Sequence, residues 1–358
     1  MNRPRILIVK KAQFSYHTDT YKYCEYLPDD FDLTYVGFDT GKKRVLNNKV
    51  KVKYVCGHGS KIVRGLRFLK ELMQEIKVGD YDIVFLVYFQ CCSLLKLKFH
   101  KQRFVLDIRS SGILKQKSKR WLYNKILQCE SHLFDSITVI SKGLADKLKI
   151  SNAHILPLGA DSLCKNDKDF SELHLIYVGT FHQRNIDQTI NGFGKFYRKL
   201  GNKIDLSYTI IGFGDSQTEE IITRSIAVNG LENVVEFVGR VPVDQLGKHF
   251  DKGNVGVSWI PVTDYFQYQP PTKTFEYILS GIPCVATATQ ANKEVINKKN
   301  GVVCGDTPES FYRALLKIYD RRKSFSSDEI RNSLAMYQWK NIVKNNLRTY
   351  LNSQCAYV

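Results

Sequence analysis

The chain has 358 residues, 43% of them hydrophobic and 25% charged, which excludes an intrinsically disordered chain and suits two domains of ordinary size. No apolar run approaches the roughly 20 residues that span a bilayer, and the first, Ile6–Val9, meets Lys10 and Lys11 at once, unlike a secretory leader. Lysine and arginine number 53 against 35 acidic residues, a formal charge of +18, so the surface should attract an anion: nucleic acid, anionic lipid or a phosphorylated substrate. Nine cysteines without a C-x-x-C pair, Cys91, Cys92 and Cys284 among them, read as reduced core or surface thiols.

Short runs rich in Val, Ile, Tyr and Phe alternate with longer amphipathic stretches. Strands are expected at Ile6–Val9, Leu33–Phe38, Val50–Val55, Ile83–Phe89, Phe104–Ile108, Ile137–Ile140 and His154–Leu158. Helical periodicity falls between several of them, at Ile62–Lys77, Lys119–Leu133 and, behind an N-cap at Ser141, Lys142–Leu148. Two cationic stretches stand out, one with Lys96, Lys98, Lys101 and Arg103, the other with Lys115, Lys117, Lys119 and Arg120. The polar run from Gly159 to Ser171 breaks the pattern and is expected to link two domains.

The alternation then restarts. Strands are expected at Leu173–Val178, Leu206–Ile211, Val234–Val238, Val255–Ile260 and Cys284–Thr287. Helices are expected at Ile186–Leu200, Ser216–Asn229, Val243–Phe250, Thr272–Leu279 and Pro308–Asp320, with more helix from Ser327 to Leu351 around Trp339. Nearly continuous apolar strands such as residues 83–87 indicate sheets covered on both faces. The whole predicts an α/β protein of two Rossmann-like domains with parallel sheets. Their expected bounds are 1–160 and 173–325, joined by 161–172 and followed by a helical tail, 326–358, that packs back toward the first domain.

The most informative segment runs from Gln269 to Thr287. Pro271 suits the first position of a helix, and Gly281 with Pro283 ends it before a buried strand. A helix N-terminus offers free N–H groups and partial positive charge to anions. Lys273, in the first turn, is disfavoured by the helix dipole unless an anion such as a diphosphate lies beside it. Glu276, one turn on, can accept hydrogen bonds from two vicinal hydroxyls, as on a ribose.

This segment resembles the donor-site helix of retaining glycosyltransferases of the GT-B fold, in the large family 4 (group 1) set. Their motif is a Glu, seven residues, a second Glu, then a small residue, Gly, x, Pro and a Val-rich strand. Glu276, Gly281 and Pro283 match it. Tyr268 stands where the first Glu would fall, a departure at the position that contacts the donor sugar. A subset of the family has Pro-x-Lys-x-x-Glu instead, and residues 271–276 fit that form.

The resemblance extends along residues 155–305. Residues 156–161 look like the interdomain segment, and residues 175–180, with Gly179, like the first strand and turn of the donor domain. Ile210-Ile211-Gly212-Phe213-Gly214-Asp215 is similar to a glycine turn opening the next helix. Residues 235–241, with Gly239 and Arg240, resemble the strand end near the nucleotide base. The resemblance implies that Arg184 and Lys273 grip a diphosphate, Arg184 because Thr180 holds the usual arginine position. Glu276, Thr272 and Thr274, with Gly179, Gly212, Phe213, Gly239 and Arg240, would then line the donor site.

In the first half, Lys10–Ser15 replaces the family's glycine-rich loop, and Asp107 and Arg109 end a strand where the family often keeps an Asp-x-Arg or a His at the reaction centre. The alternative for Asp107 and Arg109 is a buried structural ion pair. His17 could face the same site or lie at the surface.

Asp30-Phe31-Asp32 and Asp80-Tyr81-Asp82 spell D-x-D, yet each precedes a strand early in the chain and suits turn capping. No metal and no other cofactor is expected, positive charge from the protein replacing a cation. The expected partners are a nucleotide-diphosphate sugar, with UDP as the favoured nucleotide, a lipid-linked or growing glycan of bacterial surface polysaccharide (O-antigen or capsule) and an anionic membrane surface. That implies a cytoplasmic, membrane-peripheral enzyme.

The basic stretches lack helix-turn-helix, zinc-ligand or RNP-like context, so no nucleic-acid partner is expected, though such a protein would explain the charge. A GT-B-like protein that binds a nucleotide sugar without transferring it is the other alternative. No G-x-G-x-x-G follows Ile6–Val9, which argues against a Rossmann dehydrogenase.

Overall fold

A computed structural model describes residues 3–356. The described residues divide into two compact units, 3–158 with 339–356, and 159–338.

Unit 1 comprises β1 (Arg5–Val9), α1 (Thr18–Tyr26), β2 (Asp32–Asp39), β3 (Val50–Cys56), α2 (Lys61–Gly79), β4 (Ile83–Val87), α3 (Ser93–Lys98), β5 (Phe104–Ile108), α4 (Lys117–Ser131), β6 (Ser136–Val139), α5 (Lys142–Lys147) and β7 (Ala153–Ile155). Its seven-stranded sheet has the order β3-β2-β1-β4-β5-β6-β7, with every pairing parallel. All five residues of β4 and all five of β5 are buried, as expected for strands with helices on both faces. Ser141 caps α5 by accepting from Leu144 N.

Unit 2 comprises β8 (Leu173–Thr180), α6 (Asp187–Leu200), β9 (Leu206–Phe213), α7 (Ser216–Val228), β10 (Val235–Gly239), α8 (Leu246–Lys252), β11 (Val255–Ser258), α9 (Thr272–Leu279), β12 (Cys284–Thr287), α10 (Gln290–Val295), β13 (Gly301–Cys304), α11 (Pro308–Arg321) and α12 (Ser327–Ser333). Its six-stranded parallel sheet has the order β10-β9-β8-β11-β12-β13. The core packs α6 and α11 on the sheet through Ile190, Phe193, Tyr208, Phe311 and Leu315.

The chain then re-enters unit 1 as α13 (Trp339–Asn341), a π-helical turn at Ile342–Leu347 and α14 (Arg348–Ala356). Tyr350 stacks on His154 at 4.3 Å and Ser136 Oγ donates to Gln354 at 2.6 Å. Trp339 is buried edge-on to Tyr23.

Several expectations need correction. The expected linker 161–172 belongs to unit 2, where Arg331 of α12 pairs with Asp167 at 2.6 Å and binds the carbonyls of Lys165 and Asn166. Residues 326–338 stay in unit 2, so the return to unit 1 starts at Trp339. Elements α1, α3, α10 and β13 were not expected, and Pro271 is the N-cap of α9 rather than its first helical residue.

Candidate functional site

In doubly wound sheets, ligands bind beyond the carboxyl ends of the strands where the strand order reverses. In unit 2 that point lies between β8 and β11. A pocket of about 340 Å³ opens there, walled by Val178–Thr180 at the end of β8, by Val257–Ile260 at the end of β11, by Arg184 and Phe266, and by Gln269–Lys273 leading into α9. Its volume is that of a small-molecule site. The structure thus brings Gly179, Arg184, Thr272 and Lys273 together.

The start of α9 forms one wall. Its N-cap, Pro271, supplies no side-chain hydrogen bond, and Thr274 N donates to the Pro271 carbonyl at 3.1 Å, so the Thr272 and Lys273 N–H groups lack a side-chain cap and lie at the positive end of the helix dipole. Lys273 Nζ donates to Glu276 one turn on, and their side chains keep 26% and 16% of their exposure. Glu276 stands behind Lys273 and does not wall the pocket.

Three N–H donors of wall residues are buried without a hydrogen-bond partner: Arg184 Nη1, Trp259 Nε1 and Gln269 Nε2. The Arg184 guanidinium lies 4.4 Å from the Phe266 ring centroid. Burial lowers its pKa, opposed by the Tyr177 and Tyr265 hydroxyls. Among the described residues no carboxylate pairs with Arg184, and none walls the pocket. A partly desolvated cation and buried donors without partners are costly unless a ligand rich in acceptor oxygens completes them.

Other expected site residues lie elsewhere. Thr274 is fully buried, its hydroxyl 2.7 Å from Ser258 Oγ and donating to Asn292 Oδ1 at 3.0 Å, so it holds α9 to β11 and α10 and does not face a ligand. Gly212 is required by packing: a Cβ there would stand 1.9 Å from the Gly179 carbonyl oxygen. Phe213, 42% exposed, carries Arg240 at 4.6 Å over its ring, and Gly239 takes φ 80°. These residues share the carboxyl edge of the sheet with the pocket, at β9 and β10, but do not wall it.

In unit 1, Asp107 and Arg109 form an interior network rather than an open reaction face. Arg109 donates to Asp19 at 2.7 Å and to the Leu156 carbonyl at 2.7 Å, and lies 3.8 Å from Asp107. Asp107 accepts from Thr138 at 2.8 Å, while its second oxygen is buried without a partner. Burial pushes its pKa up to about 6 against the pull of Arg109. His17 caps α1 by accepting from Thr20 N, and burial with nearby Lys10 lowers its pKa to about 4.

Both D-x-D carboxylate pairs sit at the amino ends of strands, opposite the edge where ligands bind. Asp82 accepts from Arg5 N at 2.7 Å and Asp30 pairs with Arg348 at 3.5 Å. Among the described residues, only Glu172, His174 and Asp205 converge within 4.8 Å as potential metal ligands, at the amino ends of β8 and β9 and away from the pocket.

Sequence reasoning missed Trp259, Phe266 and Gln269. Trp259 sits in a run that reads as buried strand, and nothing in a sequence marks an indole N–H as partnerless.

Residues 172–321 match the family model described as glycosyl transferases group 1. No curated protein matches the chain. Among solved structures, sucrose-phosphate synthase from Thermosynechococcus elongatus superposes with a TM-score of 0.77 at 14% identity, covering 99% of this chain and 100% of that one. HepE of Anabaena in complex with UDP and glucose gives 0.74 at 12%, covering 98% and 100%. The lipopolysaccharide outer core galactosyltransferase WaaB in its apo form gives 0.72 at 15%, covering 98% and 99%. At these identities the likeness establishes architecture. The chain has the GT-B fold, and its residues 172–321 are similar to the glycosyl transferases group 1 family.

Proposed function

We propose that the protein is a glycosyltransferase that takes a sugar from a nucleotide-diphosphate donor held at the carboxyl edge of the unit 2 sheet. The observation that carries this reading is Arg184, a half-buried cation whose Nη1 is buried without a partner and which has no acidic partner, opposite the uncapped start of α9. A diphosphate supplies the negative charge and acceptor oxygens that both lack. Glu276 would take the ribose hydroxyls, and Phe213 and Arg240 would flank the base. UDP is the favoured nucleotide, since HepE is described with UDP and with UDP-glucose.

In the proposed reaction the acceptor hydroxyl forms its bond to the anomeric carbon on the face from which the diphosphate departs, so configuration is retained. The hydroxyl proton passes to a departing phosphate oxygen, and no protein nucleophile is needed. Lys273, Arg184 and the α9 N–H groups stabilise the leaving diphosphate, a role that a metal would otherwise fill. The acceptor we infer is a lipid-linked or growing glycan of bacterial surface polysaccharide, reached at the cytoplasmic face of a membrane. The net charge of +18 and the likeness to a lipopolysaccharide galactosyltransferase support this.

Nucleotide release from a panel of UDP- and GDP-sugars, with and without EDTA, tests the proposal. Release that survives chelation supports it. Binding without turnover of any donor across a range of glycan acceptors would indicate a nucleotide-sugar-binding protein instead.

A further inference from the structure

Residues 83–129 hold ten lysines and arginines and a single carboxylate, Asp107, which is buried. Within this stretch, residues 113–122 are exposed throughout apart from half-buried Arg120. They present apolar side chains to solvent: Trp121 is 62% exposed, Leu122 53%, Ile113 45% and Leu114 43%. The other two tryptophans, Trp259 and Trp339, are 2% and 1% exposed. Arg120 Nη1 donates to the Leu114 carbonyl at 2.6 Å, clamping the loop against the first turn of α4. Ile113 and Leu114 are therefore held beside Trp121 and Leu122, with Lys115, Lys117 and Lys119 among them.

We propose that unit 1 inserts this segment into an anionic lipid bilayer. Ile113, Leu114, Trp121 and Leu122 enter the interface, and Lys115, Lys117 and Lys119 meet the headgroups. The proposal rests on the membrane-bound acceptor inferred above and assigns the surface that reaches it. The chemistry separates a bilayer from other partners. Three of the four apolar side chains, Ile113, Leu114 and Leu122, are aliphatic and offer no face on which a nucleic-acid base can stack, leaving Trp121 alone where a single-strand binder uses several aromatic platforms, and protein interfaces are depleted in lysine. An exposed apolar segment interspersed with long cationic side chains suits the headgroup boundary, where the indole sits at the interface and lysines reach back to phosphate. Next to α4, α3 adds Leu94 and Leu97, 46% and 60% exposed, and is tied to α4 by Ser93 Oγ donating to Glu130 at 2.7 Å.

Trp121 is a built-in reporter, because the other tryptophans are buried. Vesicles of phosphatidylglycerol mixed with phosphatidylcholine should bind the full chain, and brominated acyl chains should quench its tryptophan emission. Pure phosphatidylcholine should bind far more weakly. The double variant Trp121→Ala, Leu122→Ala should lose about tenfold or more in vesicle affinity. Lys115→Glu, Lys117→Glu, Lys119→Glu should lose roughly a hundredfold, and wild-type binding should fall steeply with salt. Both variants should keep the wild-type melting temperature and release nucleotide from a soluble donor at the wild-type rate. Vesicle binding that leaves the emission unquenched and the Trp121→Ala, Leu122→Ala affinity intact would overturn the insertion. Tighter binding to a single-stranded oligonucleotide than to the anionic vesicles would overturn the lipid partner. Absence of donor turnover in the wild type would count against the transferase reading alone, because vesicle binding is measured without it.

Discussion

The guanidinium of Arg184 stacks 4.4 Å from the ring of Phe266 while its Nη1 is buried without a hydrogen-bond partner. The ring fixes the cation's position without neutralising it, leaving its charge available to a ligand. Arg184→Gln should therefore leave the unliganded protein as stable as the wild type or more so, since it removes a desolvated cation. Donor affinity should fall in the same variant by roughly tenfold to a hundredfold, the loss of a charge-assisted bond worth about 1.5–3 kcal/mol. Thermal melts and donor titrations on one preparation check both signs. A variant that is destabilised yet binds donor normally would make Arg184 a structural residue.

Lys273 and Glu276 are paired, and their variants should separate two parts of the ligand. Lys273→Ala should weaken a nucleoside diphosphate and leave the free nucleoside unaffected, because it removes charge from the pocket wall. Glu276→Gln should weaken both, since an amide offers one acceptor oxygen to two ribose hydroxyls where a carboxylate offers two. Calorimetric titration with diphosphate and nucleoside distinguishes these roles. A fall in melting temperature with unchanged affinities in Glu276→Gln would leave the carboxylate with a helix role only.

Asp107 should make stability depend on pH in the direction opposite to a salt-bridged carboxylate. Burial raises its folded pKa to about 6, above the value of about 3.9 for an unfolded aspartate. Between those values the folded state holds more protons, so stability falls as pH rises through the window and levels off above it. Asp107→Asn, which cannot ionise, should lose that slope. Urea unfolding of both proteins from about pH 4 to about pH 7 reads the difference; equal slopes would show that Arg109 keeps the group ionised throughout.

The parts of this architecture legible in the sequence are those governed by local chemistry. Helix α9 falls at Thr272–Leu279 as expected, because prolines mark its start and Gly281, at φ 77°, with Pro283 marks its stop. Most strands carry continuous apolar runs and lie within a residue or two of their expected bounds, whereas β7 ends at Ile155, three residues short of the expected Leu158. Helix α1 escaped notice because its N-cap is His17, outside the usual Ser, Thr, Asp and Asn set, and its apolar face is weak. Strand β13 is four residues long and follows two lysines and an asparagine. Contacts between residues distant in sequence leave no local pattern. Arg109 meets Asp19 from 90 residues away, and no local pattern shows that this pair turns a candidate catalytic arginine into an interior tie. Thr274 is likewise held by residues of other elements, Ser258 and Asn292.

Calorimetric titration of UDP against UMP, with GDP against GMP as a second pair, tests whether the unit 2 pocket holds a diphosphate. In the wild type the diphosphate should bind about tenfold or more tightly than its monophosphate for at least one base, and Arg184→Gln should close most of that gap. Equal affinities for diphosphate and monophosphate in the wild type, or a gap that Arg184→Gln leaves intact, would contradict the assignment.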